Sequence, residues 1–254
     1  MAPIDYKVVE DQETIFALNG IEQRVWGIGP SESDGPYNML AVAHNGGLIL
    51  GAFDGDVPIG FSYSFPGYQD GEVYLWSHTT GVLPEYQAQG IGQQLKFQQR
   101  DWAREYGYAT IRWTFDPMQQ TNARFNLHHL GGIVTTFHEN RYGTIKAGLN
   151  SGLPTDRYEV TWHTNPNRDV KPSIDFDAEN VLVQNGAFSG SIGDSDAYLL
   201  EIPADISHLK QTNPEVAIIW QSAIREASIK LLGRNYTISR YVEHNGKSYY
   251  AALR

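Results

Sequence analysis

The stretch Val82-Leu83-Pro84-Glu85-Tyr86-Gln87-Ala88-Gln89-Gly90-Ile91-Gly92-Gln93-Gln94-Leu95 decides the reading of the chain. It runs from an apolar strand end through a proline turn into a glycine loop, and a helical pattern begins inside that loop. Gly90 and Gly92 remove side chains where backbone amides would have to approach a ligand. The helix that starts there adds its free first-turn amides and the positive end of its dipole. Such a loop suits an anion of the pyrophosphate type, held by backbone nitrogen rather than by lysine. A dinucleotide fingerprint needs a third glycine where Leu95 stands, and a P-loop needs Gly-Lys-Ser/Thr where Gly92 is followed by Gln93 and Gln94. A plain turn capped by glycines is the remaining alternative.

Working outward, a strand at 6–9 precedes a helical pattern at 11–26 carrying Ile15, Leu18, Ile21, Val25 and Trp26, which Gly27, Gly29 and Pro30 stop. Runs at 48–53 and 57–65 flank Asp54-Gly55-Asp56, a hairpin signal, and 72–82 supplies the next strand of an antiparallel meander. The helix from Gly90 places Ile91, Leu95, Trp102 and Tyr106 on one face and ends at Gly107. A strand at 108–115, a helix at about 119–130 and strands at 133–138 and 157–163 follow. The polar, proline-bearing stretch 164–177 marks a boundary, giving domains 1–165 and 166–254. The second is a smaller α+β annex: strands at 181–184 and 198–202, a helix from Asn213-Pro214 to Gly233, and a hairpin across Asn245-Gly246.

The segment Gln87-Ala88-Gln89-Gly90-Ile91-Gly92 fits the Q/R-x-x-G-x-G/A pattern and resembles the acyl-CoA loop of the GNAT superfamily of N-acetyltransferases, with Val82, Leu83 and Pro84 matching the strand end before it. The element order over about residues 4–165 is similar to the GNAT fold. The resemblance therefore implies an α+β fold, a mixed, mostly antiparallel sheet flanked by helices, and acyl-CoA as cosubstrate. It implies that Gln87, Ala88, Gln89, Gly90, Ile91 and Gly92 hold the pyrophosphate and that a backbone amide of Val82 or Leu83 meets the thioester oxygen. The run Asn122-Ala123-Arg124-Phe125-Asn126-Leu127-His128-His129-Leu130-Gly131 resembles the family's helix in which a tyrosine protonates the departing thiolate. Here Leu127 occupies that position. Asn122 and Asn126 suit the pantetheine arm or adjacent backbone, because amides do not titrate. The match from Pro84-Glu85 through Trp113-Thr114-Phe115-Asp116-Pro117 to Asp156-Arg157 resembles a two-part subgroup, some members of which are thought to acylate amino acids with succinyl-CoA.

N-acyl transfer requires a neutral amine, an oxyanion stabiliser and a leaving thiolate. His78, four residues before Val82, is the first candidate for general base; a histidine hydrogen-bonded within the sheet is the alternative. Asp116 is a second candidate for base or ammonium anchor, with a turn or cap as its alternative. Tyr142 is the candidate replacement for the missing acid, against simple packing. Arg124, Arg141 and Arg157 could clamp a carboxylate or lie on the surface. His128-His129 is not spaced as a metal site, since neighbours on a helix point about 100° apart.

The chain of 254 residues has 41% hydrophobic and 19% charged residues, and no apolar run approaches the roughly 18 residues that span a bilayer. Its start resembles neither a secretory signal nor a transit peptide, so the expected location is the cytoplasm. Absence of cysteine excludes disulfides, thiolate metal sites and an acyl-cysteine intermediate, which favours direct transfer. A net charge of -10 disfavours nucleic acid as a partner. The expected function is transfer of an acetyl or succinyl group from acetyl-CoA or succinyl-CoA to the amine of a small molecule, with no metal and no membrane partner. A homodimer, a non-catalytic CoA-sensing module and a protein N-acetyltransferase stay open.

Overall fold

Asp11 starts the first helix because its carboxylate accepts the otherwise orphaned amide of Thr14 at 2.9 Å, and Gly27 ends it in the left-handed conformation at φ 63°. Between them α1, Gln12–Trp26, turns Ile15, Leu18 and Ile21 onto Ile49, Phe53, Phe61 and Tyr63. The structure, a computed structural model, describes residues 3–143, 153–166 and 174–254. They form two compact units, Met1–Trp113 with His163–Pro166, and Thr114–Trp162 with Asn167–Arg254.

In the first unit, β1 (Asp5–Val8), β2 (Leu48–Asp54), β3 (Val57–Gln69) and β4 (Glu72–Val82) pair antiparallel in that order. Strand β3 runs past its expected end at 65 because the Tyr74 ring of β4 lies over the bare backbone of Gly67 and continues the pairing to Gln69. A short helix, α2 (Pro36–Ala43), opens on the proline and covers the meander with Met39. Helix α3 (Ile91–Tyr106) packs Ile91 and Leu95 against Leu48, Leu50, Ala52, Ile59 and Val82, and stops at Gly107, φ 104°. Strand β5 (Thr110–Phe115) then pairs parallel with β4 at Leu75–Ile111 and Trp76–Arg112.

The second unit opens with a helical turn, α4 (Gln120–Ala123), that widens into a π-helical turn over Arg124–His129. Strands β6 (Ile133–His138) and β7 (Arg157–His163) follow, then β8 (Val181–Gln184), β9 (Ala187–Phe188) and β10 (Ala197–Ile202). Next come helices α5 (Ile206–Thr212) and α6 (Pro214–Leu232) and the hairpin β11 (Thr237–His244) to β12 (Lys247–Leu253). Their order is β7-β6-β11-β12-β10-β8-β9, antiparallel apart from β8 with β10. Both units are therefore α+β with mostly antiparallel sheet.

By packing, the described residues of 114–162 fall with the C-terminal strands. Val134 of β6 pairs with Ile238 of β11, and the buried Tyr158 hydroxyl meets Ser228 of α6 at 2.5 Å, so residues 114–162 share a core with the C-terminal strands. Part of that core is ionic. Arg225 donates to both carboxylate oxygens of the buried Asp156, at 2.8 and 3.0 Å, and to Glu139 at 2.6 Å. Removing the guanidinium strands a buried carboxylate. Arg225→Ala is expected to cost about 2–4 kcal/mol, read as a fall in Tm of roughly 5–12 °C in thermal unfolding.

Candidate active site

The end of β4 and the loop after it build the site in the first unit. Antiparallel pairing sets the directions of the amides: Leu83 N–H donates to Ile59 O at 2.9 Å, so the preceding residue, Val82, turns its N–H and C=O to the opposite edge. The side-chain amide of Gln87 donates to that Val82 carbonyl at 2.9 Å and fixes the loop to the strand. Leu83 also accepts from Tyr86 N, so both its backbone groups are engaged. This corrects the expectation that the Leu83 amide is available to a thioester; Val82 keeps that direction open. Gln87 likewise clamps the strand through its side chain.

Ala88, φ 60°, and Gly90, φ 80°, both take the left-handed conformation, and the chain then enters α3. The first internal helical bond runs from Gln94 N to Gly90 O, and no side chain caps the helix. The amides of Ile91, Gly92 and Gln93 are therefore left without an intrahelical acceptor. A Cβ added at Gly92 would meet nothing nearer than Val82 Cγ2 at 3.9 Å, so packing within the protein does not demand glycine there. A ligand lying on the backbone would demand it. Open amides, a helix N-terminus and a bare Gly92 fit the diphosphate of an acyl-CoA.

His78 stands at a β-bulge. The β3–β4 register passes from Tyr63–Thr79 to Ser64–Ser77, leaving His78 without a cross-strand partner and turning its ring outward. Its Nε2 lies 2.9 Å from Asp34 Oδ1, and Asp34 Oδ2 accepts from Thr79 Oγ1 at 3.4 Å. The rings of Tyr63 and Phe65 flank the imidazole at 5.6 and 5.4 Å. Behind Asp34, its backbone amide donates to Glu22 Oε2 at 3.1 Å, which also accepts from Asn19 Nδ2 at 3.0 Å. Burial, with the Asp34 carboxylate beside it, pushes Glu22 up to about 7. Burial, with Asp34 and Glu22 adding to it, pushes Tyr63 up to about 12. Sequence reading missed Glu22, Asp34 and Tyr63. The available signal was Asn19 and Glu22, polar residues on the buried stripe of α1 beside Leu18 and Ile21.

Beneath the bulge, the other face of β4 rests on polar side chains of α3. The buried Gln99 amide reaches Ser62, Ser64 and Ser77 at 2.9, 2.5 and 3.1 Å. Lys96 donates to Ser77 Oγ at 3.0 Å and lies 3.9 Å from the centre of the Trp113 ring. Burial pulls the Lys96 ammonium down to about 7.

The other candidates belong to the second unit. Asp116 is buried, accepts from Met118 N at 2.9 Å and lies 3.8 Å from Lys210 Nζ; burial raises its carboxyl. These contacts match its turn-forming alternative. Asn122 is exposed, Asn126 is buried with its carbonyl accepting from Gly132 N, and Leu127 is 1% exposed. Tyr142 is half exposed, its hydroxyl 2.9 Å from Thr114 Oγ1 and its amide donating to Thr155 Oγ1 at 2.8 Å. Arg157 sits over its ring at 5.5 Å and is buried, while Arg124 faces Glu243 at 3.8 Å.

Residues 15–131 match the sequence model of the acetyltransferase (GNAT) family. The fold agrees. A protein of Desulfovibrio desulfuricans assigned to the GNAT family superposes with TM-score 0.52 at 15% identity over 64% of this chain and 99% of its own. The ribosomal-protein-S18-alanine N-acetyltransferase of Escherichia coli gives 0.51 at 17% over 64% and 94%. A Salmonella typhimurium structure described as an acetyltransferase with acetyl-CoA gives 0.51 at 18% over 70% and 99%. No curated protein matches the chain in sequence. Residues 15–131 are thus similar to a GNAT acetyltransferase domain, the fold is that of its structural neighbours, and further α+β elements follow toward the C-terminus. Among the described residues no helix is long and apolar enough to cross a membrane.

Two measurements check this construction. Gly92→Glu places a bulky anion where the diphosphate is expected, and should weaken acyl-CoA binding by at least about 10-fold in calorimetry while Tm barely moves. Lys96→Met tests the buried ammonium. Folded Lys96 gives up near pH 7 a proton that the unfolded chain holds to its ordinary 10.5, so wild-type stability is lowest below pH 7 and rises toward 10.5. The variant should gain Tm most at or below pH 7, with the gain shrinking toward pH 10.

Proposed function

We propose that this protein is an acyl-CoA-dependent N-acyltransferase that moves an acetyl or succinyl group to the amine of a small molecule, an amino acid among the candidates, by direct attack. The observation that carries the reading is the outward amide of Val82 and the open first-turn amides of Ile91, Gly92 and Gln93, on the element that follows a strand whose histidine is already held by a carboxylate. Acyl-CoA supplies the activated thioester. The loop amides bind its diphosphate, and the outward amide of Val82 polarises the thioester oxygen. His78, through Nδ1, takes the proton from the incoming ammonium and so releases the amine lone pair for attack. Residues 1–165 are the proposed acyl-CoA-handling part, since the family match lies inside them, and 166–254 the annex.

For the second unit the resemblance proposes Asn122 and Asn126 at the pantetheine arm and Tyr142 as proton donor to the thiolate. Asp116, engaged in its turn, is the weaker base of the two named. The Escherichia coli neighbour named above acts on an alanine of a ribosomal protein, so a protein N-terminus is the second acceptor class to test. The experiment is thiol release from acetyl-CoA and succinyl-CoA against amino acids, polyamines, aminoglycosides and short peptides. Release above hydrolysis with one class, and a loss of about 10²-fold or more in kcat for His78→Ala at unchanged CoA affinity, is the expected result. Tight CoA binding with no release from any acceptor would instead make the protein a CoA sensor.

A further inference from the structure

We infer that Asp34 and Glu22 are positioning residues for His78: Asp34 holds the imidazole in its Nε2–H tautomer with Nδ1 toward the acceptor amine, and Glu22 holds Asp34. The inference rests on the reading of His78 as base. Its ground is geometric. Asp34 comes from the loop between α1 and α2, yet both its carboxylate oxygens are committed to consecutive residues at the β4 bulge, Oδ1 to His78 Nε2 at 2.9 Å and Oδ2 to Thr79 Oγ1 at 3.4 Å. Nδ1 takes no hydrogen bond from any described residue. Tyr63, edge-on at 81°, and Phe65 fix the plane of the ring.

Asp34 is held in turn. Its amide donates to Glu22 Oε2, and that same oxygen accepts from Asn19 Nδ2, so a chain of hydrogen bonds runs from the buried face of α1 to the ring. A neutral imidazole whose Nε2–H is donated to a carboxylate has its lone pair on Nδ1. In the step, the ammonium N–H bond breaks, the Nδ1–H bond forms, and the electron pair stays on the amine. The imidazolium so formed keeps its Nε2–H donated to the Asp34 carboxylate and gives the Nδ1 proton to water after transfer. The arrangement follows the logic of a carboxylate orienting a catalytic histidine.

Charge enters through Glu22. The titratable groups facing it are Asp34 from the loop, His78 from β4 and, beyond them, Tyr63 from β3. Glu22 ionises near 7, and above that pH a second negative charge stands behind the Asp34–His78 pair and favours the imidazolium. Glu22→Gln keeps an oxygen for Asn19 and for the Asp34 amide while removing that charge. The acid limb of kcat/KM should then move to lower pH. Asp34→Asn can donate to Nε2, which drives the proton to Nδ1 and blocks the base.

The test has an activity-independent arm. Nitrogen-15 NMR of histidine-labelled protein should show His78 as the Nε2–H tautomer in the wild type and shifted toward Nδ1–H in Asp34→Asn. Kinetics of the same variant should show kcat lower by at least about 10-fold with the KM for acyl-CoA within about 2-fold. A wild-type Nδ1–H tautomer overturns the inference, as does an Asp34→Asn variant whose kcat is unchanged, or a Glu22→Gln variant whose acid limb stays in place. If the wild type shows the Nε2–H tautomer yet releases no thiol with any acceptor, the positioning holds and the acyltransfer reading fails, so the two failures are told apart.

Discussion

A backbone amide in a strand can be given to one neighbour only, and the last residues of β4 have a neighbour on one side. The β3 edge is paired from Gln69–Glu72 to Gly60–Val82 with one bulge at His78, whereas the β5 edge is paired at Leu75–Ile111 and Trp76–Arg112, before β4 is half finished. From that one-sidedness the site follows. Leu83 turns inward and is spent, Val82 turns outward, and Gln87 uses the outward carbonyl of Val82 to anchor the loop. The freed edge leads directly to the open first turn of α3, so the chain delivers two kinds of unsatisfied amide to one end of one strand.

What keeps that geometry rigid is polar and buried. Gln99 and Lys96 lie on the face of α3 that also carries Leu95 and Ala103, and they bond to Ser62, Ser64 and Ser77 on the far side of the bulged strand. Sliding α3 by a turn would leave these groups unsatisfied at about 1–3 kcal/mol each, more for the lysine. The helix with the open first-turn amides and the strand with His78 therefore behave as one body. The cost is the desolvated Lys96, tolerated because its ammonium keeps a serine hydroxyl and an aromatic face.

The parts of this site that sequence discloses are those made by neighbours. Gly90, Gly92 and the apolar stripe of α3 lie within a few residues, and their reading as strand, loop and helix holds along with the α+β class. Asp34 escaped because its partner His78 is 44 residues away and the loop that carries it has no periodicity. Glu22 left only a faint mark, an acid where α1 should bury carbon. Leu83 was misread for another reason: which of two adjacent amides faces out depends on register, and composition cannot fix a phase of two residues. Helix α5 and strand β9 are too short to leave a period, and the shared core of residues 114–162 with the C-terminal strands rests on a pairing, Val134 with Ile238, between distant segments.

Where the GNAT resemblance places a tyrosine the chain has the buried Leu127, which raises the question of what the proposed acyl transfer would lose without that phenol. Magnitudes answer it. A thiol of ordinary pKa about 8.5 that leaves as thiolate at pH 7 lies about 2 kcal/mol from its protonated form, while an alkylammonium of pKa about 10.4 must give up about 4.6 kcal/mol to present a lone pair. Deprotonating the acceptor is the steeper of the two proton problems. On the proposed reading of His78 as base, its two supporting carboxylates serve the larger of these barriers.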